Sequence, residues 1–148
     1  MSQKLKPLDS ALYFIGDSRF LLMFDHRASA TAQAWHQLYF SRDSDYQGLL
    51  KFPSICQLNH KKREFIMTGG CNRITKEPSA QVYRFSIPQI RVFREVKPLK
   101  LGRYGHCSVF INSLVLVLGG FNHRDDEAQV PNTLNACEKY SVKENEWT

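Results

Sequence analysis

The residues of this chain that could do chemistry are few and scattered. Cys56, Cys71, Cys107 and Cys137 show no pair with the C-x-x-C spacing of a zinc or redox site. All four are expected to be small buried hydrophobes or free thiols. His26, His36, His60, His106 and His123 form neither an H-x-x-x-H pair nor a histidine–cysteine cluster of metal spacing. His106 looks catalytic in isolation, but it falls in a strand-like run and is expected to be structural. There is no G-x-S-x-G nucleophile elbow. Glycine pairs stand at Gly69-Gly70 and Gly119-Gly120. A phosphate loop would need a lysine–serine pair opening into a helix. Instead Gly120 is followed by Phe121-Asn122-His123-Arg124 and then by Asp125, Asp126 and Glu127. That acidic run, like Asp43 and Asp45, reads as a solvated loop. No catalytic residue, metal or cofactor is expected.

The elements that must position these side chains are β in character. Tyr104–Ile111 is rich in aromatic and β-branched residues, and Asn112-Ser113 makes a polar tip leading into Leu114–Leu118, the pattern of a hairpin. Asn135–Val142 alternates, and Lys143-Glu144-Asn145 turns it toward Trp147. The run LVLVL lacks polar alternation, so it should be covered on both faces. The one helical candidate, Ala28–Leu38, is read as a loop and short strand because strand signals flank it. Glycines at a strand's end suit positive φ and close approach of neighbouring chain.

These patterns repeat. Gly120 follows Gly70 by 50 residues, and a weaker copy ends at Gly16, 54 residues before Gly70. After each comes an aromatic in a strand (Phe24, Tyr83, Tyr140) and then a second aromatic (Trp35, Phe93, Trp147). Phe52–Leu58 can be laid over Arg103–Val109, matching Cys56 to Cys107. Four short strands per unit is the reading, with the aromatics filling the space between one sheet and the next.

Composition sets outer limits. The chain has 148 residues, 43% of them apolar and 23% charged, which suits one ordinary globular domain. Its net charge is +6, which permits acidic peptides or nucleic acid as partners. No aromatic platform interleaved with arginines supports nucleic acid, and His60–Glu64 reads as a solvated turn. No apolar run approaches the ~20 residues of a membrane-spanning helix. The first residues lack a signal-like apolar stretch, so a cytoplasmic setting, with a nuclear one as the variant, is the default expectation.

The unit resembles the Kelch repeat: a double glycine ending one strand, then a tyrosine, then a tryptophan, with an arginine and a histidine opening the unit. The last unit shows it most fully, in Arg103, His106, Gly119-Gly120, Glu138, Tyr140 and Trp147. The middle unit has Gly69-Gly70 and Tyr83, with Phe93 at the tryptophan place and no opening arginine. The first keeps Gly16, Phe24 and Trp35. The resemblance implies an all-β fold, a Kelch-type β-propeller fragment divided at 1–51, 52–102 and 103–148. With rings of ~4–8 blades being typical, about two and a half to three blades would leave the ring unclosed. It also implies a non-catalytic module binding a protein partner, with the remaining blades in a longer chain or an assembly. The alternatives are a fragment of a Kelch-type enzyme, oxidase or sugar epimerase, and nucleic-acid binding. The loops facing a partner would carry Asn72, Arg73, Lys76, Asn122, His123, Arg124, Lys100, Arg103 and Tyr104. Arg103 has two readings. Its fork of donors suits acidic ligand groups, or it satisfies backbone carbonyls of its own chain.

Overall fold

The computed structural model describes strand backbone at 11–15, 20–25 and 35–39, and residues 46, 50–59, 63–87, 94–123 and 133–148. Among the described residues there is no helix. Strands β1 (Ala11–Ile15), β2 (Phe20–Asp25) and β3 (Trp35–Tyr39) form an antiparallel sheet in that order. Trp35 therefore opens a strand, as the non-helical reading of Ala28–Leu38 expects; residues 28–34 lie outside the described residues.

Two four-stranded antiparallel sheets follow. The middle sheet runs β5 (Ser54–Asn59), β6 (Glu64–Thr68), β8 (Val82–Ser86) and β9 (Arg94–Val96). A two-residue ladder of β4 (Leu50–Lys51) with β7 (Cys71–Asn72) sits at one end of it. The last sheet runs β10 (Cys107–Ile111), β11 (Leu114–Leu118), β12 (Cys137–Ser141) and β13 (Glu146–Trp147). Its first hairpin turns on Asn112 and Ser113, at φ of 49° and 64°. Two consecutive left-handed residues give the turn whose twist matches the flanking strands, and Ile111 pairs with Leu114 across it.

The two sheets pack face to face. Ile66 and Val82 of the middle sheet share one core with Val115, Val117, Tyr140 and Trp147 of the last. Fully burying side chains of this size contributes roughly 1.5–3 kcal/mol each. The Tyr140 and Trp147 rings sit 4.9 Å apart. Trp147 also donates its indole N–H to the Lys97 carbonyl, at 2.8 Å, just beyond β9. Both aromatics therefore lie between sheets, as the repeat reading requires. On the opposite side of the middle sheet, Phe65, Met67, Tyr83 and Phe85 pack with Tyr46 and Leu50. The LVLVL strand is covered on one face only among the described residues. Val115 and Val117 are buried, while Leu118 is exposed beside Cys107, Val109 and Ile111.

Ladder register corrects two alignments made from sequence. Tyr140 lies three residues beyond the Cys137–Leu118 pair and opposite Trp147, and Phe24 lies three beyond Leu21–Ile15 and opposite Trp35. In the middle sheet the ladder starts at Val82–Thr68, so three residues on is Phe85. Tyr83 instead faces Glu95 and takes the place that Glu138 holds in the last sheet. Phe93 and Gly16 lie outside the described residues. The second correction concerns the unit's opening. Lys51 pairs with Cys71 directly after one glycine pair, and Tyr104 bridges Phe121 directly after the other. Leu50 is thus the counterpart of Arg103, and Ser54 rather than Cys56 is the counterpart of Cys107.

Candidate interaction site

The loops that follow the glycine pairs and those that open the units meet at one end of the sheets. Backbone bonds lock them together. Gly70 N–H donates to the Arg103 carbonyl at 2.8 Å, Arg103 N–H to Ser79 at 3.0 Å, and Ser79 N–H to Gly70 at 2.7 Å. Tyr104 and Phe121 exchange bonds of 3.0 and 2.9 Å. Such approach leaves no room for a side chain at Gly120, whose φ is 94°; a Cβ there would lie 2.7 Å from the Tyr104 carbonyl oxygen and 2.8 Å from His106 Cβ. The glycines turn the chain and admit close backbone, as their place at strand ends suggests.

Arg103 is fully buried in this junction. Its Nη1 donates to the Gly119 and Ala136 carbonyls at 3.0 and 2.8 Å, its Nη2 to a Glu138 carboxylate oxygen at 2.7 Å, and its Nε to the Leu101 carbonyl at 3.4 Å. Glu138 in turn accepts the backbone N–H groups of Lys100 and Leu101 at 2.6 and 3.2 Å. A planar fork meeting carbonyls and a carboxylate at once is what makes arginine suited to a buried pair. Of the two readings of Arg103, the structure shows the one in which it satisfies its own chain. It is corrected here from a partner contact to the clasp that ties the linker, the glycine pair and the start of β12 together.

His106 lies beside this clasp. Its Nε2 is 2.8 Å from the Thr68 hydroxyl, and its Nδ1 is buried with no partner. Burial, helped by the nearby Arg103 guanidinium, pushes its pKa down to about 4, so the ring is neutral at physiological pH. It is a structural histidine in the junction between sheets. Cys56 is similarly inert, its thiol pushed up to about 11, chiefly by burial. The four cysteines are free. Among the described residues no group of three or more His, Cys, Asp or Glu side chains could hold a metal ion.

Outward from the clasp lies an aromatic cluster. The Tyr104 ring is 6.5 Å from Phe52, 5.6 Å from Phe121 and 6.0 Å from His123, with its hydroxyl 3.4 Å from His123 Nε2. Phe121 and His123 meet edge to face at 5.7 Å. Phe52 caps the cluster and is 59% exposed, held at a φ of 51°. For a bulky residue that conformation costs of order 1–3 kcal/mol. Sequence reasoning placed Tyr104 and His123 here but missed Phe52 and Phe121. The available signals were two phenylalanines in loop positions, one next to Pro53 and one next to Gly120.

The other expected site residues are dispersed. Asn72 accepts the N–H groups of Ile74 and Thr75 at 2.8 and 3.1 Å, which makes it the organiser of its own turn. Arg73 and Asn122 are half-exposed on their loops, and Lys100 is exposed. Lys76 closes the Asn72 turn with φ at 63°. Arg124 lies outside the described residues.

No curated protein matches the chain significantly. The family model of the Kelch motif matches residues 102–148, the segment from the Arg103 clasp through the whole last sheet. Residues 102–148, with their glycine pair and buried Tyr140–Trp147 wedge, form a Kelch motif, and the successive antiparallel sheets, left as separate ladders, are the blades of an open β-propeller segment.

Proposed function

We propose that this chain is a non-catalytic protein-interaction module, and that its partner docks on the aromatic cluster of Phe52, Tyr104, Phe121 and His123. Kelch motifs in general build interaction propellers, which supports the module reading. The observation that carries the choice of surface is Phe52. An aromatic ring that could pack inward is instead exposed, on a strained backbone, above three further rings. Aromatic anchors at the centre of a patch dominate interface energetics, and backbone strain clusters at functional positions. The net charge of +6 favours a partner with acidic groups around an apolar pocket.

The test is cross-linking and capture of cellular proteins by the wild-type chain and by Phe52→Ala. Because the Phe52 ring is exposed and alanine keeps the same backbone conformation, the variant should keep a melting temperature close to that of the wild type. Proteins captured by the wild type and lost from the variant are expected. An identical captured set for the two refutes the aromatic surface.

A further inference from the structure

An open groove of about 540 Å³ lies at the opposite end of the sheets, where the middle and last blades meet. Its lining includes Glu64, Arg84, Phe85, Arg94, Val96 and Asn145. Arg84 and Arg94 face each other as direct cross-strand partners on β8 and β9. Like charges so placed repel one another. Glu64 neutralises one of them by an ion pair with Arg84. Arg94 is exposed and makes no ion pair among the described residues. Among the described residues the lining therefore carries one uncompensated positive charge.

The rest of the wall is fixed. Arg84 hydrogen-bonds the Tyr140 hydroxyl, and that hydroxyl donates to Asn145 Oδ1 at 2.7 Å. Asn145 sits at φ of 56° in the β12–β13 hairpin, its N–H donating to the Ser141 carbonyl at 2.9 Å. With Oδ1 already accepting, the two amide hydrogens of Asn145 remain as donors. Val96, packed against the core between the two sheets, adds apolar wall beside these donors.

We infer that this groove binds a carboxylate side chain of an acidic peptide segment, held by the Arg94 guanidinium and the Asn145 amide, with an apolar neighbour of the carboxylate against Val96. One surplus positive charge balances one carboxylate. A phosphate, at about −2 charges, would be left under-neutralised. β9 is the outermost strand of its sheet, so the segment approaches from open solvent. This site is separate from the aromatic cluster and does not depend on it.

The experiment titrates the intact chain at low salt with a fluorescein-labelled peptide of alternating Glu and Leu, and with its Gln-for-Glu counterpart. The Glu peptide is expected to bind about tenfold or more tightly than the Gln peptide, the effect of one charge-assisted pair. Arg94→Glu should abolish that preference and Arg94→Lys retain part of it. Lys139→Glu, which makes the same charge change on the far face of β12, should leave it intact. Equal affinity for the two peptides overturns the proposal, as does a Glu preference that survives Arg94→Glu with an unaltered melting temperature. Tighter binding of a phosphoserine peptide, lost in Arg94→Glu, overturns the carboxylate assignment in favour of phosphate.

Discussion

Acid should weaken this protein through His106, and the size of the effect follows from its surroundings. The ring is 9% exposed, its Nε2 is engaged by Thr68, its Nδ1 has no acceptor, and the Arg103 guanidinium lies nearby. A proton on this ring would be buried beside another positive charge. Its pKa in the folded chain is therefore about 4, against 6.5 in the unfolded chain. As pH falls through 6.5 the unfolded chain takes up a proton that the folded chain refuses, so the equilibrium moves toward unfolding. The stabilisation is complete above pH 6.5, declines through the interval, and is gone below pH 4. At about 1.4 kcal/mol per pKa unit, the loss is roughly 3 kcal/mol. That is a large share of the ~5–15 kcal/mol typical of a whole domain. The assay is urea unfolding from pH 7.5 to 4, run on the wild type and on His106→Gln. Glutamine can reach Thr68 and cannot titrate. Acid-labile contributions of other groups are shared by both proteins and cancel in the difference. The wild type should lose roughly 3 kcal/mol more than the variant across the interval. Parallel pH profiles would refute the account of a neutral, poorly protonatable His106.

Two further outcomes follow from the same junction. Gly120→Val should destabilise by several kcal/mol, on the order of 3 or more, because strained φ and a Cβ driven into the Tyr104 carbonyl act together; a wild-type melting temperature would remove the glycine's backbone role. Arg103→Ala should cost about 3–5 kcal/mol by leaving Glu138 charged and unpaired in the interior, whereas Arg103→Met with Glu138→Leu should recover much of that loss; denaturant titration of the two variants decides it, and equal destabilisation by both would show that the carbonyl bonds, not the ion pair, hold the junction.

Much of the fold was legible because its signals are local. The Asn112-Ser113 turn needs two left-handed residues in succession, and a polar dipeptide between apolar runs announces that. Tyr140 and Trp147 are near in sequence and face each other directly across one hairpin. What escaped the sequence depends on distance along the chain or on a choice between equivalents. Arg103 meets Glu138 across 35 positions, and nothing local distinguishes a guanidinium turned inward from one turned to a ligand. Tyr83 and Phe85 sit two apart on one strand face and both are buried. Either fits the aromatic place until the ladder fixes the count. The Cys56–Cys107 overlay failed for a related reason. Two cysteines in similar strands attract alignment, but Cys107 pairs with Leu118 directly before its glycine pair, whereas Cys56 pairs with Ile66, two residues short of Thr68. Phe52 reads as the start of an inward strand, and only the pairing of β4 with β7 ahead of it leaves the ring outside.

The corrected register gives the two described blades different means of closing the same junction. In the last blade, the opening position and the first inward position of β12 hold Arg103 and Glu138, an ion pair that also gathers backbone groups from three segments. The equivalent positions of the middle blade hold Leu50 and Tyr83, which lie in one apolar core, Tyr83 packed edge to face on Tyr46 at 5.2 Å. An apolar pair can replace a buried ion pair at little or no net cost, so stability alone does not require the clasp in the last blade. What the ion pair adds is directional: hydrogen bonds to Gly119 and Ala136 hold the backbone on both sides of the loop at Phe121 and His123. An apolar pair would pack as well but would leave those carbonyls to other partners. The clasp therefore sits where the chain must hold an aromatic surface in place, and the blade without it carries in the same loop the turn organised by Asn72 instead.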